Sequence, residues 1–237
     1  LIDYYPDYEC IPYGSGVTRK NIETMIAEVR PSAIIVFAKG HSGYTSYKSS
    51  LGCAHPRLAK DILKMYREIT YKHHVRMFTY ISGLLNELAL KRHPEWAAVV
   101  ENRGEASYQG MTNLDTKKSS VSCICPSSGY FEGYMSVLIE EIISNYSPDG
   151  IWFDGDWGGA FCYCERCHKL FEKATGKKIS RLPDLNDLES ESGILWHDWM
   201  LKLNNDWQRK CSTLIHQLSP GCLYSSGNVT LPYGMND

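Results

Sequence analysis

Short, continuously apolar runs alternate along this chain with longer segments whose apolar residues recur every three or four positions. Residues 2–5 read as a short opening strand. Residues 18–29 follow as a helix, with Thr18 as N-cap and Ile22, Met25, Ile26 and Val29 on one face. Residues 33–38 (Ala-Ile-Ile-Val-Phe-Ala) are apolar throughout and too few for a helix, so they predict a buried strand. The alternation then repeats: helix 56–72, strand 75–81, a helical or irregular stretch 87–96, helix 131–146 and strand 150–154. A helix at 164–175 is stopped by Gly176, a long one at 195–218 is stopped by Pro220-Gly221, and residues 222–226 form the last predicted strand.

Strands that are apolar on both faces must be covered on both faces, which implies a parallel sheet with helices packed against it. An open doubly wound sheet and a (β/α)8 barrel both satisfy that pattern. No Gly-x-Gly-x-x-Gly follows an early strand, so the dinucleotide-binding version of the open sheet loses ground and the barrel is preferred. A full barrel takes typically ~250 residues for eight strands. Here five predicted strands occupy all 237 residues, because the loops after the second, third and fourth are long. The expectation is an α/β chain of TIM-barrel type, one domain over residues 1–237, holding the first five or so β/α units of a longer barrel. The unpaired edges of such a piece predict a homo-oligomer or another covering element.

Composition narrows the partners. A net charge of −2 gives no basic field for nucleic acid and no cationic face for a membrane surface. No apolar stretch approaches the ~20 residues that span a bilayer. The chain opens at Leu1 without a signal-peptide pattern, so the expected location is cytoplasmic, with secretion the alternative if a leader has been removed.

In a parallel barrel the chemistry sits at the C-terminal strand ends. Those ends carry Asp3 and Tyr4, then Lys39, His41 and Tyr44, then Tyr80 and Ser82, then Asp154 and Asp156, and finally Ser225, Ser226 and Asn228. Polar groups ringed by Tyr44, Tyr47, Tyr80, Trp152 and Trp157 suit a ligand with hydroxyl edges and C–H faces, which is a sugar. The run Gly150-Ile-Trp-Phe-Asp154-Gly-Asp156 is the most pointed of these: a buried strand that ends abruptly in two carboxylates and a glycine. Asp154 and Asp156 are therefore the candidate catalytic acids. Asp3, Lys39, His41, Tyr44, Tyr80 and Trp157 are the candidate sugar contacts. Lys39 has two readings, a hydrogen bond to substrate or a salt bridge to Asp154 across neighbouring strand ends.

Nine cysteines in a chain this large are not needed as disulfide staples, and they cluster. Cys125, Cys162, Cys164 and Cys167 offer four thiolates, the set that closes a tetrahedral zinc site with no position left for catalysis. Such a zinc is structural. Competing readings are free thiols, a Cys164–Cys167 bridge, Cys123 in place of Cys125, and His168 as a further ligand. The remaining cysteines, Cys10, Cys53, Cys211 and Cys222, read as core thiols.

At these residues the chain resembles known enzymes. Ala38-Lys39-Gly40-His41-Ser42-Gly43-Tyr44 is similar to the Lys-His-His-Asp-Gly-Phe loop of the α-L-fucosidases, and Trp152-Phe153-Asp154-Gly155 to the segment carrying their nucleophilic aspartate. Cys125-Pro126-Ser127-Ser128 with Cys162-Tyr-Cys164-Glu-Arg-Cys167 resembles the β-galactosidases that bind zinc through cysteines. The stretch from Asp3 to Phe171 also resembles uncharacterised glycosyl-hydrolase-like barrels that combine both features, including His55-Pro56 and His93-Pro94-Glu95-Trp96. There are departures: the fucosidases place a histidine after the first strand, where this chain has Asp3 and Tyr4, and Gly40 replaces the first histidine of their pair.

The fucosidase resemblance implies that Asp154 is a nucleophile; the β-galactosidase resemblance aligns it close to an acid/base glutamate. The expected function is a retaining glycosidase acting on a terminal sugar, α-L-fucosidase-like or else β-galactosidase-like. A non-catalytic carbohydrate-binding partial barrel is the alternative from another class. A retaining glycosidase needs a second carboxyl ~5 Å from the first, expected from strands six to eight of the complete barrel.

Overall fold

The computed structural model describes residues 12–100, 104–105, 107–109, 120–155, 162–178 and 189–227. The predicted strand at 2–5, with Asp3 and Tyr4, lies outside the described residues, as do Cys10, Asp156 and Trp157. Helix α1 (Arg19–Val29) begins after Thr18, whose hydroxyl accepts from Asn21 N at 3.1 Å. It leads into β1 (Ala33–Lys39), α2 (Ile62–Lys72) and β2 (Arg76–Ser82). A short α3 (Glu87–Arg92) and a 3-10 turn (Pro94–Trp96) open a long excursion. It contains two small antiparallel pairs, β3 (Val99–Val100) with β4 (Gly104–Glu105) and β5 (Ser107–Gln109) with β6 (Ser120–Ser122). A π-helical turn (Phe131–Met135) runs into α4 (Ser136–Tyr146), followed by β7 (Gly150–Asp154), α5 (Glu165–Thr175), α6 (Glu191–Leu218) and β8 (Leu223–Ser226).

The main sheet has the order β1-β2-β7-β8, every pair parallel. Spatial order therefore follows chain order. That is the winding of a barrel wall, whereas a doubly wound sheet reverses direction at a switch point. Among the described residues the wall is not closed, as for part of a barrel.

Strand alternation sorts the side chains between two faces. Val36, Ala38, Met77, Ile81, Ile151 and Phe153 point into the main core, where α2, α4 and α6 supply Leu63, Ile69, Ile139, Ile142, Trp207 and Ile215. The opposite face carries the cross-strand row Phe37, Tyr80, Trp152 and Ser225. Gly150 is required on that face: a Cβ there would stand 2.3 Å from the Phe78 ring.

Two predicted boundaries move for reasons of capping. The helix expected from Pro56 begins at Ile62, because Asp61 accepts from Lys64 N at 2.9 Å and the preceding residues turn to pair Leu58 with Tyr13. The last helix begins at Glu191, four residues before the predicted start, because the Ser190 hydroxyl accepts from Gly193 N. No helix among the described residues is long and apolar enough to cross a membrane.

Candidate active site

Asp154 is the last residue of β7, on the inner face with Tyr80 and Trp152, and its side chain is 35% exposed. The Tyr80 hydroxyl donates to Asp154 Oδ2 at 2.7 Å, and the Gly155 amide donates to Oδ1 at 2.8 Å. Each carboxylate oxygen thus has one protein donor, which fixes the plane of the group. Tyr80 is itself immobilised, 2% exposed and wedged between Phe37 (ring centroids 4.2 Å) and Trp152 (5.3 Å). Tyr80, expected as a sugar contact, has its hydroxyl bound to the Asp154 carboxylate.

His41 is brought to the same carboxylate, its Nε2 3.9 Å from Asp154 Oδ2, while its Nδ1 lies 2.7 Å from Ser82 Oγ. Burial pushes its pKa down to about 4, against the raising influence of Asp154, with the Lys39 charge adding to the lowering. At neutral pH the ring is therefore uncharged. The Ser82 hydroxyl also donates to Leu85 O at 3.1 Å, so the His41 Nδ1–Ser82 Oγ contact is satisfied with either ring nitrogen protonated, and Nε2 stands on the carboxylate side.

Lys39 corrects both of its readings. Its side chain is fully buried, and its ammonium donates to Ser82 O at 2.7 Å and Leu85 O at 2.8 Å. The backbone slips register between Phe37 and Lys39 at the end of β1, and Lys39 reaches the turn after β2 in place of Asp154. Tyr44 is half-buried on the same loop and packs edge-on against His55, ring centroids 5.6 Å apart. Tyr47, expected to border the pocket, is fully buried in the main core with its hydroxyl donating to Glu141 Oε2. Glu141 also accepts from Ser49 Oγ at 2.7 Å and Ser50 N at 2.6 Å, which draws this loop onto α4.

The four cysteines named from spacing come together: the Sγ atoms of Cys125, Cys162, Cys164 and Cys167 all lie within 4.8 Å of one another. Cys125 is 3.4 Å from Cys167 and 3.9 Å from Cys164. Tetrahedral Zn²⁺ with ligands at ~2.3 Å requires sulfurs about 3.8 Å apart, so the quartet fits. The Cys-x-x-Cys spacing works because Cys164 is the N-cap of α5 and its sulfur accepts from Cys167 N at 3.5 Å. Val99 N donates to Cys162 Sγ at 3.4 Å, and Ser127 Oγ lies 3.1 Å from Cys125 Sγ and 3.2 Å from Cys167 Sγ. Such donors stabilise thiolates around a cation. Hydrogen bonds within the quartet pull the Cys164 thiol down and push those of Cys162 and Cys167 up, so the four sulfurs share protons among themselves and Cys164 is the one that gives its proton up first. Cys123 is buried beside the quartet and is not a member of it. Phe171, Trp196 and Met200 close a small second core over the cluster.

Ser127 was within the sequence motif yet had no assigned role, and the turn Ser82–Leu85, which receives Lys39 and His41, carried no sequence signal beyond the position of Ser82 at a strand end.

Comparison with known proteins bears on this arrangement. A family model described as hypothetical glycosyl hydrolase 6 matches residues 18–155, the span from α1 through Asp154. An S-layer-related protein of Niallia circulans is 23% identical over 208 residues, covering 77% of this chain and 13% of its own length. Among solved structures, α-L-fucosidase isoenzyme 2 from Paenibacillus thiaminolyticus superposes with a TM-score of 0.75 at 21% identity, over 94% of this chain and 31% of the fucosidase. A hypothetical protein from Ruminiclostridium thermocellum superposes with a TM-score of 0.54 at 13% identity, over 88% of this chain and 89% of its own. At these identities the structural likenesses speak for the fold. The chain spans less than a third of the fucosidase and a smaller share of the S-layer-related protein.

Proposed function

The chain belongs to the hypothetical glycosyl hydrolase 6 family, and on that premise we propose that it is a retaining glycoside hydrolase acting on a terminal sugar, α-L-fucosidase-like, with Asp154 as the nucleophile. The observation that carries this reading is the half-exposed Asp154 carboxylate at a C-terminal strand end, each oxygen held by one donor, Tyr80 Oη or Gly155 N. A nucleophile needs a fixed, ionised carboxylate with a free lone pair, and two donors on two oxygens leave one on each.

In this mechanism an Asp154 oxygen forms a bond to the anomeric carbon as the glycosidic C–O bond breaks, and an acid ~5 Å away protonates the departing oxygen. Water then attacks the anomeric carbon from the other face. It gives its proton to the same acid, now a base, and the carboxylate leaves. Neutral His41, with Nε2 3.9 Å from Asp154 Oδ2, is suited to exchange a hydrogen bond with a sugar hydroxyl at the nucleophile's edge. Asp3, Tyr44, Asp156 and Trp157 remain proposed as further contributors to the sugar pocket.

The Cys125, Cys162, Cys164 and Cys167 quartet is proposed to hold one structural Zn²⁺, joining the loop before the π-helical turn to the start of α5. It would supply rigidity and no chemistry, since four thiolates leave no open position. The same quartet favours a second reading, a β-galactosidase-like hydrolase with Asp154 as acid/base.

Asp154→Asn separates these. Turnover of aryl α-L-fucoside and aryl β-galactoside would be measured for parent and variant, with and without azide. Azide rescue giving a glycosyl azide of inverted configuration supports the nucleophile; retained configuration supports the acid/base, because azide then attacks the covalent intermediate. An active parent with near-parental Asp154→Asn turnover would remove Asp154 from the chemistry. A parent that binds sugar and turns over neither substrate would favour the carbohydrate-binding alternative.

A further inference from the structure

Leu84 and Leu85 are adjacent in sequence and belong to different cores. Leu84 is fully buried in the main core, whereas Leu85 is buried in the small core built on the cysteines. The turn that contains them ties the strand end of Asp154 to the cysteine loop through successive backbone hydrogen bonds. Gly83 N donates to Asp154 O at 2.7 Å and Leu84 N to Gly155 O at 2.9 Å; on the other side Ile124 N donates to Leu84 O at 2.7 Å. Ile124 immediately precedes Cys125.

The side chains repeat the linkage. Gly155 has φ +62°, and a Cβ there would stand 2.8 Å from Leu85 Cδ1, so Leu85 lies directly on the backbone that follows Asp154. Leu85 O is held by Lys39 Nζ, and Ser82 in the same turn holds His41. Any displacement of Cys125 must therefore either break Ile124 N–Leu84 O or move the turn on which both Asp154 and His41 rest. Packed elements respond to such a push as units, because close-packed interiors transmit strain.

We infer that Leu85 is a positioning residue whose turn couples metal occupancy of the cysteine quartet to the placement of Asp154 and His41. This rests on the reading of the quartet as a metal site and of Asp154 as the acid of a sugar site. By linkage the coupling runs both ways: Zn²⁺ tightens the sugar site, and a sugar-site ligand tightens Zn²⁺ binding by the same factor.

The test uses the full chain, Zn²⁺ alone as the metal probe and an iminocyclitol as the sugar-site probe. In wild type, stripping Zn²⁺ with a strong chelator is expected to shift the His41 Cε1–H resonance, assigned by its loss in His41→Gln. It should also weaken iminocyclitol binding about tenfold, within the usual range of coupling between sites. In Leu85→Ala the Zn²⁺-dependent difference is expected to shrink below about threefold, and in Leu85→Met, which refills the volume, to return. Wild-type protein that takes up Zn²⁺ yet keeps the same His41 resonance and the same iminocyclitol affinity overturns the coupling. Failure to take up Zn²⁺ overturns it along with the metal reading. Zinc-loaded protein that ignores the iminocyclitol sinks the sugar-site reading, while the His41 resonance still decides the coupling.

Discussion

The Tyr80 hydroxyl is 2.7 Å from Asp154 Oδ2 across a two-residue offset in the register of β2 and β7, where Tyr80 stands opposite Trp152 and Ser82 opposite Asp154. A residue two positions back on one strand thus steadies the acid at the tip of the next. Parallel register makes this possible, because side chains on one face of neighbouring strands form rows.

Tyr80→Phe removes that donor while keeping the ring between Phe37 and Trp152. A hydrogen bond to a charged group contributes about 1.5–3 kcal/mol, so kcat/KM should fall roughly 10- to 100-fold. The melting temperature should change little, since the packing survives. Steady-state kinetics with parallel thermal melts would check this, and an unchanged kcat/KM would show that Gly155 N alone suffices to hold the carboxylate.

His41 gives a pH prediction with a definite sign. Its pKa falls from 6.5 to about 4 on folding, mainly through burial. Between those values the unfolded chain binds the extra proton, so stability rises with pH across that window. The contribution is fully present above about pH 6.5 and lost as pH falls towards 4, amounting to up to about 3 kcal/mol. Urea melts of wild type and His41→Gln from pH 7 to pH 4 should diverge by that amount, the variant having the flatter profile. Parallel profiles would mean that the ring is not buried neutral.

Much of this site was legible in the sequence because its signals are local. Asp154 stands where an apolar run stops, and Cys162, Cys164 and Cys167 stand at spacings that a helix N-cap turns into a cluster. Cys125 was preferred to Cys123 on the same loop, and it is Cys125 whose sulfur joins the cluster. Lys39 was misread because its partners are the carbonyls of Ser82 and Leu85, and a carbonyl's position leaves no trace in residue type. Tyr47 was misread for the same kind of reason: Glu141, 94 positions away, draws it into the helix layer. The split of Leu84 and Leu85 between two cores is likewise a matter of tertiary packing, invisible in a Leu-Leu pair.

The cysteine quartet predicts about one zinc per chain and a stability that depends on it. Metal affinity is folding free energy where the unfolded chain lacks the site. Each ~1 kcal/mol moves Tm by roughly 2–4 °C in a chain of this size, so chelation should lower Tm by well over about 5 °C. Cys125→Ser should lose the metal, and Cys123→Ser should keep it. Metal analysis and calorimetry on both variants would decide, and equal melting with and without chelator would eliminate the site.

Lys39→Met tests whether the buried ammonium organises the turn after β2. The substitution keeps the length of the side chain but removes the charge and the ammonium donors, leaving Ser82 O without this partner and Leu85 O with the Ser82 hydroxyl. A buried acceptor so stranded costs about 1–3 kcal/mol, which is the expected destabilisation. The loss should not stop at stability. The Ser82–Leu85 turn also holds His41 and the backbone of Asp154 and Gly155, so surviving folded protein should show lower kcat and weaker iminocyclitol binding at temperatures well below its Tm. A ligand-contacting lysine predicts the opposite split: weaker binding with stability unchanged or improved, because an unneeded charge has been removed. Thermal melts and isothermal titration on the same preparation distinguish the two, and a stable Lys39→Met with impaired binding alone would return Lys39 to the sugar pocket.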